Sequence, residues 1–353
     1  MRALLRRLEQ YLENKNLELN TEKTKVMIFR KGGERRKKTK WRWGGKKIEE
    51  VRKIRYLRYM LQANGKQEEH VKERVRKAMG VMGGIWGIGK RKFGRDIKRR
   101  LWLFDMLVWT VLGYRVEAIV WGWNERKEIE RVEEKYLRWT LGVDWRTPEY
   151  LVREELQRDK LRNRMGRRAW NYEKKLEEGK GGGLARACLE EMKERAEKNR
   201  KLSKWEEERK GFFEERGLWR KGIAWKRTEE MKEYNIIDRS EKEKQKKMRW
   251  EKIEKAKYNK WYGRIKGEGI PEYLKKGWTE DKWSRVARYR LGNEMRQGWY
   301  WEGEEKRRCR ICVGEKESWE HELERCRREE EGIGKDWQER VTEILEEGGS
   351  GEK

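Results

Sequence analysis

Hydrophobic and polar residues alternate over a short stretch near the N-terminus of this chain. Residues 24–30 are rich in β-branched and aromatic side chains, and residues 39–43 and 54–62 alternate in the period of a strand. Glycine pairs at 32–33 and 44–45 offer turns between the runs. The pattern predicts a three-stranded antiparallel meander, preceded by a helix.

After Gly65 the apolar residues recur every three or four positions, which predicts helices. One helix follows Gly65 directly, an apolar helix covers about 97–121, and another covers about 125–140. A further helix is expected to begin at Thr147-Pro148, a hydroxyl cap followed by a proline, and to run to the glycines at 179–183.

Composition limits how much core these elements can share. Only 35% of the residues are hydrophobic and 45% are charged, so any packed core must be thin. The predicted fold class is mainly α with a small antiparallel β meander near the N-terminus. The predicted segments are 1–65 with the strands, 66–180 as helices, 184–265 as charged helices or partial disorder, 271–335 as a compact C-terminal region, and 336–353 as a tail.

The most apolar run, residues 101–123, is long enough to span a bilayer but contains Asp105, Arg115 and Glu117. We therefore predict a buried core helix there and regard a membrane as an improbable partner. The N-terminal residues have the pattern of an amphipathic helix and not of a signal peptide. Three of the four cysteines fall within 18 residues, unlike a secreted disulfide framework. We expect an intracellular protein, nuclear or cytoplasmic, that is not secreted.

Charge indicates the class of partner. The chain has 94 lysine and arginine residues against 65 acidic ones, a formal charge of +29, which favours a polyanion over a small-molecule substrate. Residues 21–47 hold 12 basic and two acidic residues, and residues 66–100 hold 12 and four. RNA or DNA is the first candidate, although such runs are also typical of an ordinary solvated face. The candidate contacts are Lys23, Lys25, Arg30, Lys31, Lys40, Trp41, Arg42, Trp43, Lys72, Arg76, Lys90, Arg91 and Lys92.

Near the C-terminus, residues 309–326 contain a pattern typical of a metal site. Cys309, Cys312, His321 and Cys326 have the spacing C-x2-C-x8-H-x4-C. Three thiolates and an imidazole make a closed tetrahedral set, which predicts structural Zn²⁺ and not a catalytic metal. A redox Cys-x-x-Cys pair and chance clustering are the alternatives. Residues 313–347 hold 13 acidic and six basic residues, so phosphate would be repelled there.

Several stretches of the chain carry a recognisable pattern, including "LELNTEKTKVMIFRKGG", "YLRYMLQANG", "RYRLGNEMRQGWYWEGEEKRRCRIC" and "WEHELERC". Together they resemble the C-terminal part of insect non-LTR retrotransposon reverse transcriptases. The resemblance covers most of the chain and is weakest over about 185–265. It implies a palm remnant in 1–65, a helical thumb in 66–180 and a C-terminal zinc knuckle. The family usually has glycine where Arg58 stands, and glycine commonly follows the second cysteine, where Val313 stands here.

The resemblance also implies what activity to expect. Lys23, with Lys25 as second choice, matches the lysine of the family's motif D, and the family's paired catalytic aspartates precede that motif. No "YADD"-like sequence occurs in this chain. Mg²⁺ would therefore belong only to the complete family enzyme. We expect a truncated, catalytically incomplete fragment with residual, sequence-tolerant binding of RNA or DNA.

Three alternatives stay open at this point. The chain could be part of an active RNA-directed DNA polymerase if an upstream segment supplies the aspartates. It could be a non-enzymatic interaction protein whose charged helices bind a partner. It could also attach to a membrane surface through basic amphipathic helices. The oligomeric state does not follow from the sequence.

Overall fold

The computed structural model describes nine segments of the chain. They are residues 2–29, 40–115, 127–198, 202, 204–216, 234–256, 259–299, 301–326 and 337–345. The described chain is mainly helical with a small amount of sheet near the N-terminus, as predicted. Its residues divide into two compact units, Met1–Arg76 and Lys77–Lys353.

Where the structure describes it, the first unit contains one helix, five short strands and the start of a second helix. The elements are α1 (Arg2–Asn14), β1 (Lys25–Val26), β2 (Trp41–Trp43), β3 (Lys46–Glu50), β4 (Lys53–Tyr56), β5 (Tyr59–Gln62) and α2 (Glu68–Lys92), which continues into the second unit. β3 lies between β1 and β2, and β4 pairs with β5 in a separate hairpin.

The predicted meander is wrong in its topology. Gly44-Gly45 does form the predicted turn, but it joins β2 to β3, a strand that the alternation did not single out. β1 then pairs with β3 in parallel, since Lys25 lies opposite Glu49. The alternation of hydrophobic and polar residues does not predict this parallel pairing. The pairing depends instead on where β3 lies relative to β1 after the β2–β3 turn.

The predicted third strand, 54–62, is a hairpin and not one strand. The chain reverses at Leu57 and Arg58, whose φ angles are +45° and +62°. Two successive residues with positive φ between paired strands form the turn type that usually contains glycine or asparagine. The backbone carbonyl of Arg58 accepts a hydrogen bond from Arg74 Nη2 at 2.6 Å, which ties the turn to α2.

The second unit is built from helices. After α2 they are α3 (Ile97–Leu103), α4 (Trp109–Leu112), α5 (Lys127–Leu141), α6 (Glu149–Glu155), α7 (Leu161–Glu177), α8 (Gly183–Glu197), α9 (Lys204–Glu214), α10 (Tyr234–Glu254), α11 (Tyr262–Ile265), α12 (Glu280–Arg290) and α13 (Trp337–Leu345).

The apolar stretch predicted as one helix over 97–121 is interrupted. A π-helical turn, Phe104–Val108, separates α3 from α4, and the backbone leaves the helix after Leu112. The remainder of the prediction, from residue 116, lies outside the described residues. Among the helices that the structure describes, none is long and apolar enough to cross a bilayer.

The helix expected from 147 to 179 is two helices. α6 starts after Pro148, as predicted, but ends at Glu155. Gln157 then takes a φ of +50°, which no continuous helix permits, and α7 begins at Leu161. The break lets Leu151, Val152 and Leu156 enter the main core.

The main core joins α5, α6 and α12, with Trp283 and Tyr262 almost fully buried. Because apolar residues are scarce, charged side chains fill part of the interior. Glu155 accepts hydrogen bonds from Arg290 Nε at 2.7 Å and from the hydroxyls of Tyr262 and Tyr273 at 2.9 Å each. These donors offset part of the cost of removing the Glu155 carboxyl group from water.

The charged stretch 184–265 also contributes to a packed cluster. Phe212 and Phe213 of α9 meet Tyr234 of α10 and Trp170 of α7. Where the structure describes this stretch, it therefore contains helices with a buried apolar side, and not merely solvated ones.

Candidate metal centre and basic hairpin

A short backbone hook brings the four predicted ligands together. Arg308 and Lys316 form an antiparallel bridge, and Cys309 N donates to Glu315 O at 2.8 Å. This hook, residues 308–316, contains Cys309 and Cys312. A π-helical turn over His321–Arg325 supplies the histidine and ends at Cys326.

The ligand atoms are close enough to hold one metal ion. The three Sγ atoms and one His321 nitrogen lie within 4.8 Å of one another. Cys309 Sγ and Cys326 Sγ are 3.6 Å apart, and Cys312 Sγ is 3.1 Å from His321 Nε2. Two thiolates at about 2.3 Å from a tetrahedral ion would be about 3.8 Å apart, so the first distance fits a shared ion. It is far longer than a disulfide bond.

The histidine is oriented for ligation through Nε2. His321 is buried, and its Nδ1 lies 3.4 Å from a carboxylate oxygen of Glu315 without a well-aligned hydrogen bond. A carboxylate beside Nδ1 favours the tautomer with the proton on Nδ1 and leaves Nε2 free to bind a metal.

Val313 occupies the backbone position in the hook that favours glycine. Its φ is +59°, in the left-handed region, where a β-branched residue is strained. Val313 N donates to Cys309 O at 3.0 Å, and Ile311 N points at Cys309 Sγ at 3.4 Å. The tight turn around the first sulfur therefore requires a left-handed backbone conformation at Val313.

The thiols influence each other's ionisation. The backbone N–H of Gly314 lowers the pKa of Cys312 to about 7, helped by His321. Burial, and then the neighbouring Cys309 and Cys312 sulfurs, raise the pKa of Cys326 to about 12. The Cys312 thiolate is thus favoured and the Cys326 thiolate is opposed. A bound cation would favour the thiolate form of its ligands.

Hydrogen bonds and one aromatic side chain connect the hook to the rest of the second unit. Arg310 donates to both oxygens of the buried Glu317 carboxylate, from Nη2 at 2.6 Å and Nε at 2.9 Å, which braces the hook itself. Arg310 Nη2 also donates to Glu294 O at 3.3 Å, and Glu317 O accepts from Gln297 N at 2.8 Å. Trp319 packs in the main core against Trp261 and Tyr289. A metal held by the hook would therefore fix the C-terminal region to the helical core.

The predicted nucleic-acid contacts differ in solvent exposure and in their pairing with acidic residues. Trp41 is buried and its Nε1 donates to Glu50 at 3.2 Å, so it belongs to the core of the first unit and offers no ring to a base. Lys25 pairs with Glu49 at 2.7 Å. Lys23, Lys40 and Arg42 are exposed, whereas Trp43 is half-buried.

The remaining predicted contacts lie on α2 or outside the described residues. Lys72 and Arg76 are exposed, and Lys72 lies 3.5 Å from Glu69. Lys90, which the structure places in the second unit with the exposed Arg91 and Lys92, lies 3.3 Å from Glu280. The positive charges at this helix end also compensate the helix dipole. Arg30 and Lys31 lie outside the described residues.

The hairpin of β2 and β3 brings together basic residues that the sequence analysis did not pair. Arg42 lies directly opposite Lys47, and the exposed Lys46 lies opposite Trp43. Lys46 and Lys47 were missed as contacts because β3 was not predicted. The glycine pair followed by alternating residues was the available signal. Because successive side chains of a strand point to opposite faces, Lys46 lies on the other face from Arg42 and Lys47. We call Lys40, Arg42 and Lys47 the basic hairpin patch.

Comparisons of the chain with protein-family models, with curated proteins and with solved structures find no match.

Proposed function

We propose that the chain binds RNA or DNA through phosphate contacts, with little dependence on sequence, and that the basic hairpin patch makes the main contact. The observation that carries this proposal is the cross-strand pair of Arg42 and Lys47. Like charges directly opposite each other in a sheet are destabilising unless a counter-charge lies between them. A phosphate group would supply that counter-charge.

The nearby acidic residues have other hydrogen-bond partners. Glu49 is bound by Lys25 and Glu50 accepts the indole N–H of Trp41, although the charge of Lys47 also contributes, after Lys25, to a lowered pKa of Glu49. Neither Arg42 nor Lys47 has a carboxylate oxygen within 4.0 Å among the described residues. The resemblance to reverse transcriptases supports the same class of partner. Contacts of this kind fix position and not sequence, because they reach phosphates and not base edges. We propose binding without polymerase chemistry in this chain.

Replacing both Arg42 and Lys47 with glutamine tests this proposal. We expect labelled RNA and DNA oligonucleotides to bind several-fold more weakly in fluorescence anisotropy at low salt, because two phosphate contacts are lost. Lys246→Gln/Lys247→Gln, on the exposed side of α10, is the matched control and should keep wild-type affinity. Equal affinities for both double variants would refute the hairpin as the contact.

The stability of the variant separates binding from folding. Removing the Arg42–Lys47 repulsion should leave the free energy of unfolding unchanged or raise it by up to about 1 kcal/mol. A loss of affinity in a protein of undiminished stability cannot then be ascribed to unfolding.

For the Cys309, Cys312, His321 and Cys326 group we propose zinc in a structural role. The donor set of three thiolates and one imidazole is typical of structural zinc, and its four protein ligands leave no position for a reacting water. When bound, the ion would offset two of the three thiolate charges and hold the C-terminal hook.

Elemental analysis of the purified chain should find one zinc per molecule, and Cys309→Ser should lose it. Cys188→Ser is the matched control, since Cys188 is an exposed cysteine outside the group. A wild-type chain without metal, or a Cys309→Ser variant that keeps it, would contradict the proposal.

A further inference from the structure

A cleft in the second unit combines aromatic rings with arginine. It has a volume of about 840 Å³ and lies between the loop before α6 and the segment after α12. Tyr150, Trp261, Trp299 and Trp301 are among its lining residues, together with Arg146. Clefts of this size and mixed character are typical of sites for small ligands.

Arg146, which lines the cleft, contacts two indole rings, that of the lining residue Trp301 and that of Trp145, its neighbour in the chain. We call these three side chains the stack. The guanidinium carbon of Arg146 lies 4.4 Å from the ring centroid of Trp145 and 4.1 Å from that of Trp301. These distances are short for a cation over an indole. Trp145 is nevertheless 71% exposed, so most of its ring surface faces solvent next to a fixed positive charge.

The loop that carries the stack is held from the other side of the cleft. Asn293 Oδ1 accepts hydrogen bonds from Asp144 N at 2.7 Å and from Thr147 Oγ1 at 2.8 Å. Arg146 N donates in turn to Asp144 Oδ1 at 2.8 Å. The indole of Trp145 therefore stands on a preorganised loop, and little ordering would be needed on binding.

The chemistry of the stack selects among ligands. A cationic ligand would be repelled, because Arg146 already occupies the position between the two indoles. An apolar ligand would gain nothing from the arginines. A nucleotide fits both features, since its base can stack on the exposed ring of Trp145 while its phosphate reaches Arg146 or Arg288 in the lining. Each arginine lies 3.7 Å from a carboxylate oxygen, that of Asp144 or Glu294, so the phosphate would share the guanidinium with that carboxylate.

We infer that this cleft binds an unpaired nucleotide of single-stranded RNA or DNA. The inference rests on the proposed function, nucleic-acid binding, but assigns a second contact of a different kind in the other unit. The basic hairpin patch would contact phosphate groups alone, whereas the cleft requires a base that is not paired or stacked within a duplex. The cleft would therefore give the protein a preference for single strands.

The test compares a labelled thymidine oligonucleotide with an abasic phosphodiester of the same length, at one salt concentration, using the full chain. We expect wild type to prefer the base-bearing strand about tenfold, since one stacked base contributes on that order. Trp145→Ala should remove the preference, and Trp145→Phe should retain most of it. Trp102→Ala changes another exposed tryptophan and should leave the preference intact.

The two proposed contacts predict different effects of their variants on binding. Arg42→Gln/Lys47→Gln should weaken binding of both strands alike and leave their ratio unchanged. If it changes nothing while Trp145→Ala removes the ratio, the cleft stands and the hairpin contact is wrong. If wild type does not distinguish the two strands, or if Trp145→Ala keeps the wild-type ratio, the cleft is not a nucleotide site.

Discussion

The turn between β4 and β5 allows the energetic cost of positive φ at a non-glycine residue to be tested. Leu57 and Arg58 both have positive φ, and an L-residue in that region costs about 1–2 kcal/mol. Glycine has no such penalty but loses about 0.5–1 kcal/mol more backbone entropy on folding. Arg58→Gly should therefore stabilise the hairpin by about 0.5–1 kcal/mol. Arg58 is exposed, and its hydrogen bond with Arg74 uses the backbone carbonyl, which the substitution keeps.

Hydrogen exchange measured by mass spectrometry reports on this hairpin separately from the rest of the chain. A stabilisation of that size should slow exchange of the β4–β5 amides by about two- to fivefold. Arg52→Gly is the matched control, because Arg52 is exposed and lacks positive φ, so glycine there should speed exchange. Unchanged or faster exchange in Arg58→Gly would show that the turn is not strained in solution.

Two further predictions concern the second unit. Val313→Gly should relieve the strained turn of the hook, so that zinc withstands a several-fold higher concentration of a competing chelator; an unchanged chelator midpoint would contradict the strained turn. Burial, and then a hydrogen bond with Glu149, raise the pKa of Glu134 to about 7. Because this pKa lies above that of an unfolded glutamate, the folded state holds the extra proton, and stability should fall as the pH rises from about 5 to 8, by on the order of 1 kcal/mol. Urea unfolding at about pH 5 and pH 8 should show a smaller pH dependence of stability for Glu134→Gln. Glu243→Gln, at an exposed position, should keep the wild-type dependence. An equal change of stability with pH in both variants would exclude Glu134 as the cause.

Local features of this chain could be predicted from its sequence. The glycine pair at 44–45 turns the chain as expected, and the cysteine and histidine spacing indicates a four-ligand group before any coordinate is known. Each of these features depends on residues close together in sequence.

Features set by distant partners could not be predicted in this way. The parallel pairing of β1 with β3 depends on tertiary contacts and not on either strand's own pattern. Glu155 is paired with Arg290, 135 residues away, and nothing near either residue indicates the other. A charged chain with few apolar residues fills its core with such pairs, and periodicity counts them as surface. For this reason the sequence of 184–265 predicted charged helices or partial disorder and gave no sign of a packed cluster.

The salt dependence of nucleic-acid affinity tests the central claim most directly. For a single-stranded oligonucleotide, each phosphate contact contributes about 0.7 to the slope of log affinity against log salt concentration. Wild type should show a steep negative slope, and Arg42→Gln/Lys47→Gln should reduce its magnitude by about 1.4. A double variant whose slope equals that of wild type would contradict the claim that the basic hairpin patch holds phosphate.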